Sequence, residues 1–370
     1  MIPIAPFVTV VVLSVLARNR NKLRVPRDPA RKFGLTPARR TDTERAAPDP
    51  AGDAALKAVR AGDWQPAADF LAHADGSGAP GTDTSWDERS RRTRLLGEEA
   101  ARADGWLTAW RTARPDDAGA ALVHGDALVH KAWQARGSGL AKNTTRDQFE
   151  NFAVQLDRAL PALKEAARRA PGDPAPLVAQ IPVAYGQGWS HERFRELWAE
   201  ITACDPHNLT GHLAALQFWC AKWRGSDDLA RGFAEQAAAS APAGTLLEVL
   251  RLHEIYERRT GDEDENHRWR TTSGRAAIDA AIDAVEAAPA GHLLAPRVHL
   301  TLAYALAHAD RHAEAVVHFR AADGYAGAAP WSYFRAPRTY FGHVRARSLR
   351  AWAAEGRPAP PPRRVREPHA

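Results

Sequence analysis

Any chemistry in this chain has to come from a handful of constellations, and each can be held against the geometry it needs. His253-Glu254-Ile255-Tyr256-Glu257 opens like a zinc-protease helix, in which two histidines four residues apart hold the metal and the glutamate between them acts as base. Glu257 stands where the second histidine belongs, and the run from His191 to Arg195 fails at the same position. Cys204, His207, His212 and Cys220 offer thiolate and imidazole ligands within one helical hairpin, but their spacing matches no standard zinc pattern. His308 and His312 are four apart, with Asp310 and Arg311 at an expected inter-helix turn between them. Asp262, Asp264 and Asn266 copy the start of a calcium loop, yet His267 takes the place of its glycine and Ser273 that of its glutamate. There is no phosphate-binding G-x-x-x-x-G-K-[ST], and Gly186-Gln187-Gly188 lacks the third glycine of a dinucleotide fingerprint. Gly137-Ser138-Gly139, beside Arg136 and Lys142, has the composition of an anion nest, for which a flexible inserted loop is the simpler reading. The expectation is a non-catalytic protein without cofactor or metal; the enzymatic alternative would use His212 or His253 as a base.

The elements that must position these residues are helical. Alanine is abundant, Ile and Val are sparse, 45% of residues are apolar, and the prolines fall mostly between apolar segments. A phrase recurs five times, at Pro115, Pro171, Pro206, Pro242 and Pro289: a helix end, then Pro with Gly, Asp or Asn, then a new apolar run. Proline cannot continue a helix, while Asp173 or Asn208 can cap the next one. The longer intervals hold two expected loops, at 134–148 and 260–274. Within an interval the apolar residues keep helical spacing, as in Leu213, Leu216, Cys220 and Trp223, followed by Leu229, Phe233 and Ala237.

In LTLAYALAHADRHAEAVVHFRAAD, small Ala303, Ala315 and Ala322 and large Leu302 and Phe319 occupy the consensus spacing of the tetratricopeptide repeat, which this stretch resembles. AALKAVRAGDWQPAADFLAHA, with Gly62-Asp63-Trp64 at its turn, resembles the same unit. The middle departs from it, with Phe194 where a small residue belongs. WQARGSG at 133–139 and KWRGSDDLARGFAEQAA at 222–238 are similar to a bacterial branch of helical-repeat proteins. The resemblance implies an all-α, right-handed α-solenoid of antiparallel helix pairs over 51–338, ended by a capping helix at 339–356 and a basic Pro-rich tail at 357–370. In that capping helix Phe341, Val344 and Trp352 are expected inward, and Arg345, Arg347 and Arg350 largely outward. A binding groove would be lined by Gln180, Tyr185, Gln217, Trp219, Lys222 and Trp223. Repeats of this kind that clamp a terminal carboxylate use Lys and Asn on successive first helices, whereas here those helices offer chiefly Gln180, Gln217 and the lone Lys222, which disfavours that ligand class.

Charge divides the chain. Residues 18–45 carry +7 and 335–370 carry +7, so the remainder must carry −8 for the total to be +6. An acidic body opposes a nucleic-acid-binding fold, leaving only Arg345, Arg347 and Arg350, with Trp331, Tyr333 and Tyr340 as stacking partners, for such a regulator. Met1 to Ala17 has no charged side chain and as a helix would span about 26 Å, marginal for a bilayer. Arg18, Arg20, Lys22, Arg24 and Arg27 follow it and predict a cytoplasmic body behind a single-pass anchor, with 18–50 a basic, Pro-containing linker. A cleaved signal peptide or a packed N-terminal helix are the rivals, the last giving a cytoplasmic protein. The functional expectation is a membrane-tethered scaffold that binds a protein or peptide.

Overall fold

The computed structural model describes residues 28–137, 145–242, 244–258 and 265–357. Among these the chain is all-α; the one β-type contact is an isolated parallel bridge between Asp42 and Tyr325. The described residues fall into two compact units, one of 49–258 with 284–295, the other of 28–48, 265–283 and 296–357. Residues 1–17, expected as an anchor, and 358–370 of the expected tail lie outside the described residues. No helix among the described residues is long and apolar enough to cross a membrane.

The first unit is a succession of helices: α1 Pro50–Arg60, α2 Gln65–His73, α3 Trp86–Arg102, α4 Gly105–Ala113, α5 Ala118–Arg136, α6 Arg146–Arg169, α7 Ala175–Val178, α8 Ile181–Gln187, α9 His191–Cys204, α10 Leu209–Trp219, α11 Asp227–Ala239 and α12 Val249–Glu257. Each of the junctions at Pro115, Pro171, Pro206 and Pro242 falls between helices. Polar side chains start the helices as their chemistry requires: Asp117 accepts from Ala120 N, Asn208 from Gly211 N, and Thr145 forms a capping box with Gln148. Helix α5 is apolar on two flanks. Val123 and Ala127 join the core of α1 to α4, around Phe70, Leu96 and Trp110. Leu122 and Val129 join that of α6 and α8, around Phe152, Leu156 and Val183.

A second layer is ionic. Glu88, buried on α3, takes both Arg91 and Arg92, and Arg92 also donates to the Phe70 carbonyl at 2.7 Å, fastening α3 to the end of α2. Asp87, 3% exposed, turns the other way: its carboxylate accepts from Leu209 N at 3.2 Å and Thr210 N at 2.8 Å, at the start of α10.

The second unit contains α13 Glu265–Arg270, α14 Thr272–Ala287, whose last residues fall in the first, α15 Ala295–His308, α16 His312–Ala321 and α17 Pro337–Ala354. In α15 and α16, Leu302, Ala303, Ala315 and Phe319 are fully buried, so the small residues permit close approach and the phenyl ring fills the gap. Several expectations are corrected here. The stretch 260–274 is not a loop where described: it is helical from Glu265, because Trp269, 1% exposed, is drawn into the core against Tyr304. Residues 28–48 are not an extended linker. They make short 3₁₀ turns at Ala30–Phe33 and Ala38–Arg40, bury Leu35 against Val316 and Leu349, and are pinned by polar bonds. Thr36 donates its amide and hydroxyl to Asp323, and Ala326 N donates to Asp42 O at 2.7 Å. Arg345 is not outward but 0% exposed, because its guanidinium serves this segment, donating to Thr36 O at 2.7 Å beside Asp28 and Asp323.

Burial above all pushes the Asp87 carboxyl up to about 6, the amides of Thr210 and Leu209 working against it. Its folded value exceeds its unfolded one, so its contribution to stability is complete below about 4 and lost as pH rises through about 6. Relative to Asp87→Asn, the native chain should therefore gain stability on acidification from pH 7 to pH 4, by up to about 3 kcal/mol. Parallel urea titrations of both proteins across that range measure it; a gap constant with pH would refute it.

Candidate functional site

One face of α5 carries Asp126, His130 and Trp133, spaced four and three residues apart so that they align along the helix. Asp126 is 8% exposed, and its carboxylate rests on Gly97 of α3, where a Cβ would strike it. Its Oδ2 makes no hydrogen bond but stands 3.2 Å from His130 Nε2. From α3, Arg94 reaches over the same face and pairs with Glu98 at 3.0 Å. Burial works against the Arg94 charge, but Glu98, then Asp126 and Tyr185, outweigh it and hold its pKa above the ordinary value. Even so, 71% of the side chain is open to water.

An aromatic wall beside this face joins residues far apart in sequence. Trp133 packs against Phe152 of α6 at 4.8 Å, Tyr185 of α8 at 5.3 Å and Trp223 at 5.6 Å, and Tyr185 meets Trp223 at 4.8 Å. Arg136 lies over the Trp133 and Trp223 rings. Burial pushes the Tyr185 phenol up to about 12, with Arg94 acting in the opposite direction. Trp223 is not helical as its spacing suggested. Helix α10 ends at Trp219 because Trp223 N and Gly225 N turn back to the Cys220 carbonyl, and Gly225 packs against the Trp219 backbone. That turn swings the indole of Trp223 onto Tyr185.

The expected groove residues are thus divided. Tyr185 and Trp223 come together. Gln217 and Lys222 converge on Glu257 of α12, at 3.0 and 2.6 Å. Trp219, 7% exposed, belongs to another cluster with Phe194, Phe218 and His191. Gln180 is 3% exposed and bonds back to Pro176 O within its own hairpin. Sequence reading missed Arg94, Asp126, His130 and Phe152; the polar face of α5 was readable, but its partners on other helices were not.

The chemical constellations also disperse. His212 is buried against Trp198 and Phe233, donates from Nδ1 to Asn208 O at 2.8 Å, and has its pKa lowered chiefly by burial. Cys220 donates to Leu216 O, and burial pushes its thiol up to about 12. His253 is buried on α12. His308 bonds Asn266 and Tyr340, whereas His312 sits 3.8 Å from Asp310, beyond the helix break. Among the described residues no three His, Cys, Asp or Glu side chains are grouped to hold a metal. The expected C-terminal stacking platform is not assembled, since Trp331 is in the core at 0% exposure along with Arg345.

Gly225→Ala would drive a methyl group into the Trp219 backbone, an overpacking expected to cost about 1–3 kcal/mol and to release Trp223 from Tyr185. Thermal unfolding and the near-ultraviolet circular dichroism of the tryptophans measure both; an unchanged spectrum would show that the turn does not hold the wall. In comparisons with known proteins, no family model, no curated protein and no solved structure matches the chain.

Proposed function

We propose that this chain is a non-catalytic helical-repeat scaffold, a right-handed tetratricopeptide-like solenoid of antiparallel helix pairs, that holds a protein or peptide partner in the concavity of its first unit. The observation that carries the reading is an open Arg94 beside a half-buried wall of Trp133, Tyr185 and Trp223. Aromatic rings supply contact area at little cost in side-chain entropy, and the ion pairs at the margins, Arg94–Glu98 and Lys222–Glu257, are nearly neutral in sum. A groove of this kind favours a partner anchored by apolar or aromatic side chains over one recruited by charge. The regular junctions and the buried alanines of α15 and α16 support a repeat architecture.

The reading includes a tether: the uncharged Met1 to Ala17 stretch and the basic residues after it would hold the body on the cytoplasmic face of a membrane, raising the effective concentration of a partner there. Affinity capture from membrane extracts with the full chain should recover a partner, and Tyr185→Ala with Trp223→Ala should weaken its binding about tenfold or more, as expected when an anchor is truncated. Undiminished recovery would place the partner elsewhere. In separate fractionation, the full chain should sediment with membranes and a chain lacking residues 1–27, which keeps the packed segment from Asp28 onward, should not; soluble full-length protein would remove the tether from the proposal.

A further inference from the structure

Two stretches of the second unit, 28–45 and 335–357, hold eleven Lys and Arg against four carboxylates, Asp28, Asp42, Glu44 and Glu355. The structure lays these stretches against each other in register. From Phe33 to Thr41 the first runs antiparallel along α17 as a strap. The Phe33 ring meets Trp352 at 5.9 Å, Leu35 packs with Leu349, and the Thr36 carbonyl accepts from Arg345 at 2.7 Å. Ala38 fits over Gly342, where an added Cβ would lie 2.7 Å from that of the alanine, and the Thr41 carbonyl accepts from Arg338 Nε at 3.2 Å. These contacts run from Arg338 to Trp352, about 21 Å of helix.

Positive charge is left on the outside of the strap. Arg31, Lys32, Arg39 and Arg40 are exposed, and among the described residues none of the four is in an ion pair or a hydrogen bond. At its two ends Arg357, over the Phe33 ring at 5.2 Å, and Arg338 are exposed as well. Two of the four carboxylates are engaged elsewhere. Asp28 accepts from Ala30 N at 3.0 Å and Ala38 N at 2.6 Å and lies beside Arg345, and Asp42 pairs with Arg45 at 2.9 Å. The first turn of α17 has no acidic residue. The first unit differs, since its arginines are commonly answered by carboxylates, Arg60 by Glu99 and both Arg91 and Arg92 by Glu88. Adjacent cations with no counter-charge repel one another, so the strap is electrostatically incomplete as it stands.

We infer that the strap is a docking face for an anionic lipid surface, contacted by Arg31, Lys32, Arg39 and Arg40, with Arg338 and Arg357 at its ends. Cations spread along a helix suit a layer of headgroups, which attracts basic side chains by charge without requiring a shaped pocket. Single-stranded nucleic acid would call for open rings beside the cations, but Phe33 is covered by Arg357, and Trp352 by Arg320 at 5.1 Å. The strap also follows directly on Arg18, Arg20, Lys22, Arg24 and Arg27, so the basic run of the sequence continues onto its outer face. The inference deepens the tether of the proposed function by bringing the folded second unit to the membrane, and it does not need residues 1–17 to span.

Sedimentation of the full chain with vesicles of phosphatidylcholine alone, and of phosphatidylcholine mixed with phosphatidylserine, tests it. Binding should be stronger on the anionic vesicles and fall as salt rises. Arg39→Gln with Arg40→Gln should weaken binding to the anionic vesicles about thirtyfold, whereas Arg39→Lys with Arg40→Lys, which keeps the charge, should preserve it. Neither pair should alter thermal unfolding, because the native side chains are exposed and unpaired. The same loss of charge in the first unit, at exposed Lys57 and Lys164 changed to Gln, should leave binding within about twofold. A full chain that ignores neutral vesicles but sediments with anionic ones would remove the anchor and support the docking face. Sedimentation with both kinds alike, unmoved by the glutamine pair, would keep the anchor and overturn the docking face. Tighter binding to an oligonucleotide than to anionic vesicles, lost with that same pair, would also overturn it.

Discussion

The first unit depends on a single close approach, that of α5 to the helices on either side of it. Two glycines make it possible. At Gly97 of α3 the missing side chain leaves room for the Asp126 carboxylate, and at Gly125 of α5 it leaves room for Leu163 of α6, whose Cδ2 would lie 2.6 Å from a Cβ. Interiors packed to this density absorb an extra methyl only by moving backbone. Because α5 is clasped on two flanks, the residues it does not bury are held in fixed directions. His124 and Lys131 fall within about 20° of each other around the axis, and Asp126, His130 and Trp133 lie about half a turn away. One helix thus orients the Trp133 side of the aromatic wall.

Much of this was readable in the sequence wherever the cause was local. The helix start at Asn208 follows from cap chemistry within three residues, and the proline junctions mark chain reversals without reference to any partner, whereas Asp173, expected to cap likewise, sits one residue ahead of the Pro174 cap and pairs with Arg89. Within 300–323 the small and large residues at fixed offsets, Ala303, Ala315 and Phe319, are buried, because such offsets encode one hairpin. What was not readable depends on contacts between distant segments. Nothing near Trp133 announces that Trp223 will close on it from ninety residues away, and Trp223 itself looked helical because Cys220 and Gly225 form their turn only by packing on Trp219.

Charged residues separate into those whose burial is offset and those whose burial is not. Asp49 begins α1 and is met by Arg91; despite burial, that ion pair and the Gly52 amide hold its carboxyl below the usual range. Asp87 begins α3 and is met by the Leu209 and Thr210 amides and the Thr210 hydroxyl, with no cation paired to it, so burial prevails. The two carboxylates occupy similar positions at helix starts, and only the long-range partner distinguishes them. A buried charge is tolerable when hydrogen-bonded to fixed dipoles, but its protonation then becomes coupled to folding.

The same reasoning explains why residues 28–45 could not remain a linker. Read alone, their prolines and basic side chains give little reason to fold. Arg345, however, sits within an apolar helix face with Leu349 and Phe341, and a guanidinium there without acceptors would cost several kcal/mol. The segment supplies those acceptors, the Thr36 carbonyl and Asp28, and offers Leu35 to the apolar surface beside them. In return Asp323 takes the Thr36 amide and hydroxyl. Each side satisfies polar groups that the other would otherwise bury unpaired, so the segment and α17 form one structural element. Any tether acting ahead of residue 28 would consequently pull on the second unit through Asp323 and Arg345.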